Sequence, residues 1–205
     1  MGVPKIETLY VGMHPTNCYL VENPETQALL IVDAGADAEQ IIRVVGGRKP
    51  VAVLATHGHY DHIGGVDAVC AHFGIPLYLH TEDIPKLTDA LGNGSRMFDT
   101  DLIVQTKAKP LVDGQVLRLA GYEITVMHTP GHSRGSCCFF LPEGQGVFCG
   151  DTLFDGGYGR TDIADGSFAE IKQSLRRLIF GVERQIAYPG HGGTTVAGQK
   201  KDIVL

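Results

Sequence analysis

Four potential metal ligands lie within six residues of this chain, at positions 57–62, where the sequence is His-Gly-His-Tyr-Asp-His. They follow residues 51–55, an unbroken apolar run that is typical of a strand covered on both faces. In extended backbone, residues two apart point the same way, so His57 and His59 can share one metal ion. Asp61 and His62 lie past the turn, where they can face a second ion. An isolated histidine is usually structural, but this density of ligands indicates a metal site.

Three further candidate ligands also follow predicted strands. His132 comes after Thr-Pro-Gly, Asp151 after Cys-Gly, and His191 after Tyr-Pro-Gly. The glycine before each of them lets the backbone turn sharply and approach a cluster closely. Imidazole and carboxylate ligands suit zinc and also iron or manganese. Asp151 can bridge two cations, because each oxygen of a carboxylate can bind one.

Predicted strands and helices alternate in both halves of the chain. In the first half, strands are predicted at 17–22, 28–32, 51–55 and 76–80, and helices after an Asp37 N-cap and at 65–73 and 82–90. In the second half, strands are predicted at 116–119, 123–127, 136–141, 147–149 and 185–188, and a helix from a Ser167 capping box to Gly181. Residues 53–59 and 126–132 share the pattern V-[L/M]-x-T-x-G-H. The alternation favours an α+β fold with two sheets and outer helices over one doubly wound sheet.

Composition limits the class of protein further. A length of 205 residues predicts a single domain over residues 1–205. The net charge of −6 argues against nucleic-acid partners, which require basic patches, and no apolar stretch is long enough for a membrane span. Five cysteines without a CxxC pair, and no visible secretory signal, predict reduced and mostly buried thiols in a cytoplasmic protein.

The motif at 57–62, followed in order by His132, Asp151 and His191, resembles the metallo-β-lactamase superfamily over nearly the whole chain. The resemblance implies a four-layer αββα sandwich of two related halves with two divalent metal ions, zinc being the expected metal and iron or manganese the alternatives. It places on the first metal His57, His59 and His132. On the second metal it places Asp61, His62 and His191, with Asp151 as the bridge.

Within that superfamily, residues 159–162 (GRTD) and 189–195 (PGHGGTT) resemble the short glyoxalase II-like hydrolases. This resemblance implies hydrolysis of an acyl thioester, such as a 2-hydroxyacyl conjugate of a small thiol, by a hydroxide that bridges the metals. Asp61 is the expected catalytic residue, which orients the nucleophile or accepts its proton. A thiolate leaving group, with a pKa of about 8.5, needs little acid assistance. Arg160 either binds a substrate carboxylate or forms a salt bridge with an acid such as Asp162.

The sequence leaves several functions open. Full-length glyoxalase II enzymes have a C-terminal helical region that binds glutathione, and a tyrosine two residues after the last metal histidine. This chain has Gly193 at that position and fourteen residues after His191, so recognition of glutathione is undecided. A persulfide dioxygenase with a single iron and a lactone hydrolase are alternatives on the same site. The complete motif and the bridging Asp151 count against a β-lactamase, and the acidic chain counts against a nuclease. The oligomeric state is not predicted.

Overall fold

The first of two β-sheets is built from the N-terminal half of the chain. The structure is a computed structural model that describes residues 2–182 and 184–203. Six strands lie side by side in chain order: β1 (Lys5–Val11), β2 (Thr16–Glu22), β3 (Ala28–Val32), β4 (Lys49–Leu54), β5 (Leu77–His80) and β6 (Ala108–Leu111). β1, β2 and β3 are antiparallel, with Lys5 opposite Glu22, whereas β3, β4, β5 and β6 are parallel.

The second sheet is built from the C-terminal half. Its strands are β7 (Val116–Leu119), β8 (Tyr122–His128), β9 (Cys137–Phe140), β10 (Val147–Gly150), β11 (Ile186–Pro189) and β12 (Thr195–Val196), in the order β12-β11-β10-β9-β8-β7. β10 and β11 are parallel and the other pairs are antiparallel; in β8–β9, His128 lies opposite Cys137. The two halves therefore share a six-stranded plan but differ in their parallel content.

The described residues form four α-helices: α1 (Ala38–Val45), α2 (Tyr60–Ile63), α3 (Val66–Phe73) and α4 (Phe168–Gly181). α1, α3 and α4 lie on the outer faces of the sheets. Alternation along β3 shows how the layers form, because Leu29 and Ile31 pack with α1 and α3 while Leu30 and Val32 face the second sheet. Phe139 and Phe148 of the second sheet meet them there, and α4 packs on that sheet's outer face. The predicted four-layer α+β sandwich is confirmed.

Three local predictions need correction or addition. The helix predicted at 82–90 is a 3-10 helix, Thr81–Thr88, whose three residues per turn place Asp83 and Lys86 on one buried face. Asp37 precedes α1, but its side chain accepts the N–H of Gly12 at 2.8 Å instead of capping the helix. β1 and β6 were not predicted, because edge strands that bury few side chains show no clear alternation. The Ser167 cap is confirmed, since its side chain accepts the N–H of Glu170.

Candidate metal centre

The seven predicted ligands all follow strands that end at one edge of the sandwich. The loop after β4 and the short helix α2 provide the residues at 57–62, and three other loops provide one residue each. His132 lies between β8 and β9, Asp151 directly follows β10, and His191 follows β11. Residues up to 130 positions apart in the sequence, Asp61 and His191, are thereby brought within ligand distance of one another.

The side chains form three groups in which all candidate ligand atoms lie within 4.8 Å of one another. These groups are His57–His59–His132, Asp61–His62–His191 and His57–His62–Asp151. Asp151 lies between the first two, with Oδ1 3.4 Å from Nε2 of His62 and Oδ2 3.4 Å from Nε2 of His132. Oδ2 also lies 3.6 Å from Nε2 of His191 in the second triad. The Asp151 carboxylate therefore contacts both histidine-rich triads, as a bridging ligand would.

The donor atoms of this cluster fit a divalent cation. Within the described part of the chain, Nε2 of His57, Nε2 of His62 and Oδ1 of Asp151 are buried and have no hydrogen-bond partner. A buried polar atom without a partner costs about 1–3 kcal/mol, so three of them in one cluster require an explanation. Imidazole nitrogens and carboxylate oxygens are ligands for zinc, iron and manganese. Bound metal ions would give all three atoms a partner.

A buried carboxylate that sequence reasoning missed, Asp33, orients two of the histidines. His62 donates from Nδ1 to Oδ2 of Asp33 at 3.0 Å, and the Thr56 hydroxyl donates to the same oxygen at 2.8 Å. Because that hydroxyl proton is engaged, Nδ1–H of His57 donates to Thr56 Oγ1 at 3.1 Å. Both rings are thus held with Nε2 toward the cluster. The available sequence signal was an acid directly after the apolar run 29–32; in the structure Asp33 has a left-handed φ of 56°.

Main-chain carbonyls orient two further rings. His132 donates from Nδ1 to the carbonyl of Arg160 at 2.9 Å, and His191 donates from Nδ1 to the carbonyl of Pro15 at 2.9 Å. These bonds also turn Nε2 of each ring toward the cluster, where Nε2 of His132 lies 2.9 Å from Nδ1 of His59. The loop after β10 and the β1–β2 hairpin therefore help to position ligands that lie far from them in the sequence.

Asp83, a second residue that sequence reasoning missed, joins the two loops that bear the first triad. It is fully buried and accepts three hydrogen bonds: from the N–H of Gly58 at 2.8 Å, the hydroxyl of Ser133 at 2.7 Å and the N–H of Gly135 at 2.7 Å. Gly58 lies between two candidate ligands, and Ser133 follows a third. No local sequence pattern shows this connection, because its partners lie 25 to 52 positions away.

Two of the glycines beside the ligands are required by close approach. A Cβ on Gly190 would lie 2.6 Å from Cε1 of His62 and closer still to Oδ1 of Asp151. Gly131 has a φ of +132°, and a Cβ there would lie 2.5 Å from the Cα of Ile171 in α4. These positions agree with the prediction that glycine allows the backbone to come close to the cluster.

Burial and nearby carboxylates shift the pKa values of the histidines in the cluster in opposite directions. Burial lowers the pKa of His57 well below its usual value, and burial together with His132 lowers the pKa of His59 to about 3. Burial also opposes charge on His62, but Asp33 and Asp61 outweigh it and raise the pKa of that histidine. His57 and His59 are therefore neutral imidazoles, whereas His62 lies among carboxylates that favour a positive charge.

A cleft of about 470 Å³ opens above the cluster. Residues 91–98 line one side of it and residues 159–165 the other. Lys86 connects the two sides of the cleft. Its Nζ donates hydrogen bonds to the carbonyl oxygen of Gly92 at 3.0 Å and to Oδ1 of Asp165 at 2.9 Å. The guanidinium of Arg160 lies at the cleft but forms a bidentate pair with Asp162, at 2.8 and 3.0 Å. Of the two roles predicted for it, the structure shows the salt bridge.

The remaining sequence predictions concern the thiols and the membrane. All five cysteines are buried and unpaired, as predicted: Cys18, Cys70, Cys137, Cys138 and Cys149. Among the described residues, none of the helices combines the length and apolar character that crossing a membrane requires.

Comparisons with known proteins identify a family, a curated relative and two solved structures that resemble this chain. The sequence profile of the metallo-beta-lactamase superfamily matches residues 11–191. The chain is 31% identical to the hydroxyacylglutathione hydrolase GloC of Haemophilus influenzae, over 96% of this chain and 94% of that protein. The BLEG-1 B3 metallo-beta-lactamase superposes with a TM-score of 0.90 at 36% identity, covering 97% of each chain. The di-iron-bound form of TTHA1623 superposes with a TM-score of 0.83 at 33% identity, covering 96% of this chain and 98% of that one.

Proposed function

Because this chain belongs to the metallo-β-lactamase superfamily, we propose that it is a dinuclear metallohydrolase that cleaves acyl thioesters. The family and the histidine–aspartate cluster imply a divalent metal site. The number of ions, their identity and the substrate are the proposed part. Zinc is the metal we favour, and the di-iron form of TTHA1623 supports iron as the alternative.

One observation carries the dinuclear proposal: the position of Asp151 between two complete triads. Its two oxygens each lie 3.4 Å from an Nε2 atom, one in each triad. His57, His59 and His132 would hold the first ion, and Asp61, His62 and His191 the second. An ion in the first triad alone would leave the buried Nε2 of His62 without a metal partner, and an ion in the second alone would do the same to Nε2 of His57.

The side chains around the cleft define how the reaction would proceed. When bound, two divalent cations supply a hydroxide nucleophile at neutral pH and polarise the substrate carbonyl. Asp61 lines the cleft, with Oδ2 3.3 Å from Nε2 of His191. Burial raises the pKa of Asp61, but His62 and the bond with His191 outweigh it, so the carboxyl is ionised and can orient the nucleophile or accept its proton. A thiolate leaves without help from a general acid, because its conjugate thiol has a pKa of about 8.5.

The thioester class is supported by the Haemophilus influenzae relative, whose name specifies a hydroxyacylglutathione. Arg160 is the proposed contact for a substrate carboxylate. It is 58% exposed at the cleft, and binding a substrate would require it to exchange Asp162 for the ligand. Such an exchange of exposed partners costs little, since exposed ion pairs contribute about 0–1 kcal/mol.

A β-lactam is the second candidate substrate, because BLEG-1, a B3 metallo-beta-lactamase, shares the whole fold at 36% identity. The same nucleophile would attack a lactam or lactone carbonyl. A persulfide dioxygenase with a single iron is the alternative in which metal content itself differs.

The deciding experiment is metal analysis of the isolated protein, paired with a panel of thioesters, lactones, β-lactams and oxygen uptake on the same sample. We expect two ions per chain and fastest turnover of a thioester. Asp151→Asn should lose metal and activity, whereas Asp202→Asn, at an exposed acid away from the cluster, should keep both. A chain that binds one iron and consumes oxygen, or one that cleaves β-lactams and no thioester, would contradict the proposal.

A further inference from the structure

A second cavity, of about 350 Å³, adjoins the metal cleft. It lies between the β1–β2 hairpin, the loop after β3 and the segment at 100–102. Four residues line both cavities: His14, Tyr60, Asp61 and Phe98. Because one of these four, Asp61, is also a candidate metal ligand, the second cavity lies directly beside the metal cluster.

Three aromatic rings form the partition between the two cavities. The rings of Tyr60 and Phe98 are 4.9 Å apart, and those of His14 and Phe98 are 5.1 Å apart. The hydroxyl of Tyr60 lies 3.4 Å from Nδ1 of His14. Phe98 is 49% exposed and His14 is exposed, so side chains of surface loops, and not of the packed core, form the partition. Side chains of this kind change rotamer within nanoseconds, which lets a ligand pass between the cavities.

Small and apolar residues form half of the lining of the second cavity. Gly12, Gly35, Ala36 and Gly64 provide little more than backbone, and Met13 and Leu102 provide apolar side chains. Of the described residues that line it, none is a lysine or an arginine. Asp61 and Asp37 are the acids there, and the Gly12 N–H already occupies an oxygen of Asp37. Anionic ligands are therefore disfavoured, and a neutral apolar group is the chemistry that fits.

Resting on the thioester hydrolase function proposed above, we propose that the second cavity binds the apolar acyl chain of the substrate. The thioester carbonyl would lie at the metal cluster, with the acyl chain passing Tyr60 and Phe98 into the cavity. The thiol carrier would lie along residues 159–165, where the side chain of Arg160 is exposed and polar groups remain in water. This arrangement separates the apolar and polar ends of the substrate on opposite sides of the metals.

The proposal predicts how the rate depends on chain length. Burial of one methylene contributes about 0.8 kcal/mol, which corresponds to about a fourfold gain in kcat/KM. We therefore expect kcat/KM to rise about fourfold per methylene along a series of acetyl, butyryl and hexanoyl esters of one thiol. Changing the thiol at a constant acyl group should have no such regular effect.

A pair of variants assigns the effect to this cavity. Thr100 is exposed, lines the second cavity and does not line the metal cleft, so Thr100→Phe would narrow the cavity alone. Thr88→Phe introduces the same side chain at an exposed threonine that lines neither cavity. Thr100→Phe should reduce kcat/KM for the hexanoyl ester at least tenfold and leave the acetyl ester nearly unchanged. Thr88→Phe should retain the chain-length dependence of the unmodified protein.

The results of these experiments distinguish failure of the acyl-chain site from failure of the thioester hydrolase function. A chain-length series that is flat, or unaffected by Thr100→Phe, would overturn the acyl site and leave thioester hydrolysis intact. If Thr100→Phe changes kcat/KM according to the size of the thiol and not according to the length of the acyl chain, the assignment of the acyl chain to the second cavity and of the thiol to residues 159–165 would be overturned. If no thioester is cleaved, the thioester proposal fails, and calorimetric binding of hexanamide and acetamide to metal-free protein decides the site. Hexanamide should then bind at least tenfold more tightly, and only without the Thr100→Phe substitution; equal binding would refute the cavity's role.

Discussion

Replacing Asp83 with asparagine would remove a connection on which the first metal triad depends. One carboxylate oxygen accepts the Gly58 N–H and the Ser133 hydroxyl, and the other accepts the Gly135 N–H. Asparagine keeps one acceptor oxygen, so in Asp83→Asn at least one main-chain N–H faces an amide NH₂ group. Hydrogen bonds to a charged group contribute about 1.5–3 kcal/mol each, and the variant should therefore lose about 2–3 kcal/mol of folding free energy.

The same change should also weaken metal binding, because Asp83 fixes the loops that carry His57, His59 and His132. Residues that orient metal ligands from outside typically change affinity 10–100-fold, and we expect about tenfold here. Urea unfolding of metal-free protein measures the stability loss, and competition with a chelator measures the affinity. Leu178→Ala is the matched control, since this fully buried residue of α4 should cost a similar ~3 kcal/mol without changing metal affinity. Equal affinity of the two variants, or an unchanged urea midpoint for Asp83→Asn, would refute the reasoning.

Three further predictions follow from single contacts. Asp33→Asn should lower metal affinity 10–100-fold in the chelator assay, because it removes the carboxylate that orients two ligand rings; an unchanged affinity would count against that role. Gly190→Ala should reduce bound metal measured by elemental analysis, since the new Cβ collides with Asp151, whereas Gly193→Ala, with open space at that position, should not. Burial raises the pKa of Asp67, but N–H donors of the loop at 105–106 and a hydroxyl outweigh it and lower that pKa. Its stabilising effect is therefore present above the pKa of an unfolded aspartate, about 3.9, and is lost as the pH falls through the lowered pKa of the folded state. The difference in urea midpoint between Asp67→Asn and unmodified protein should therefore shrink as the pH is lowered below 4, and a difference that does not change with pH would contradict this role.

The ligand cluster could be predicted from the sequence because its members are chemically distinctive and follow predicted strands. A buried apolar run that breaks into His57-Gly58-His59 has few structural explanations, and Gly131 and Gly190 mark the turns that bring distant ligands close. The two-sheet architecture was accessible for a similar reason, since apolar runs such as 29–32 require cover on both faces.

The residues that position the ligands from outside the cluster could not be predicted from the sequence in this way. Asp33 and Asp83 are acids in ordinary sequence contexts, and their roles come from partners that lie 23 to 52 positions away. The 3-10 geometry of Thr81–Thr88 decides that Asp83 points inward, and this choice depends on tertiary packing rather than on local propensity. The partition of His14, Tyr60 and Phe98 likewise joins three segments that only the fold brings together.

The most direct test of the central claim is a titration of metal-free protein with zinc while thioester hydrolysis is followed. Two triads joined by Asp151 predict that the rate rises until two equivalents per chain are bound and then remains constant. A plateau at one equivalent would contradict the dinuclear site, and hydrolysis that persists after exhaustive chelation would contradict a metal-dependent reaction.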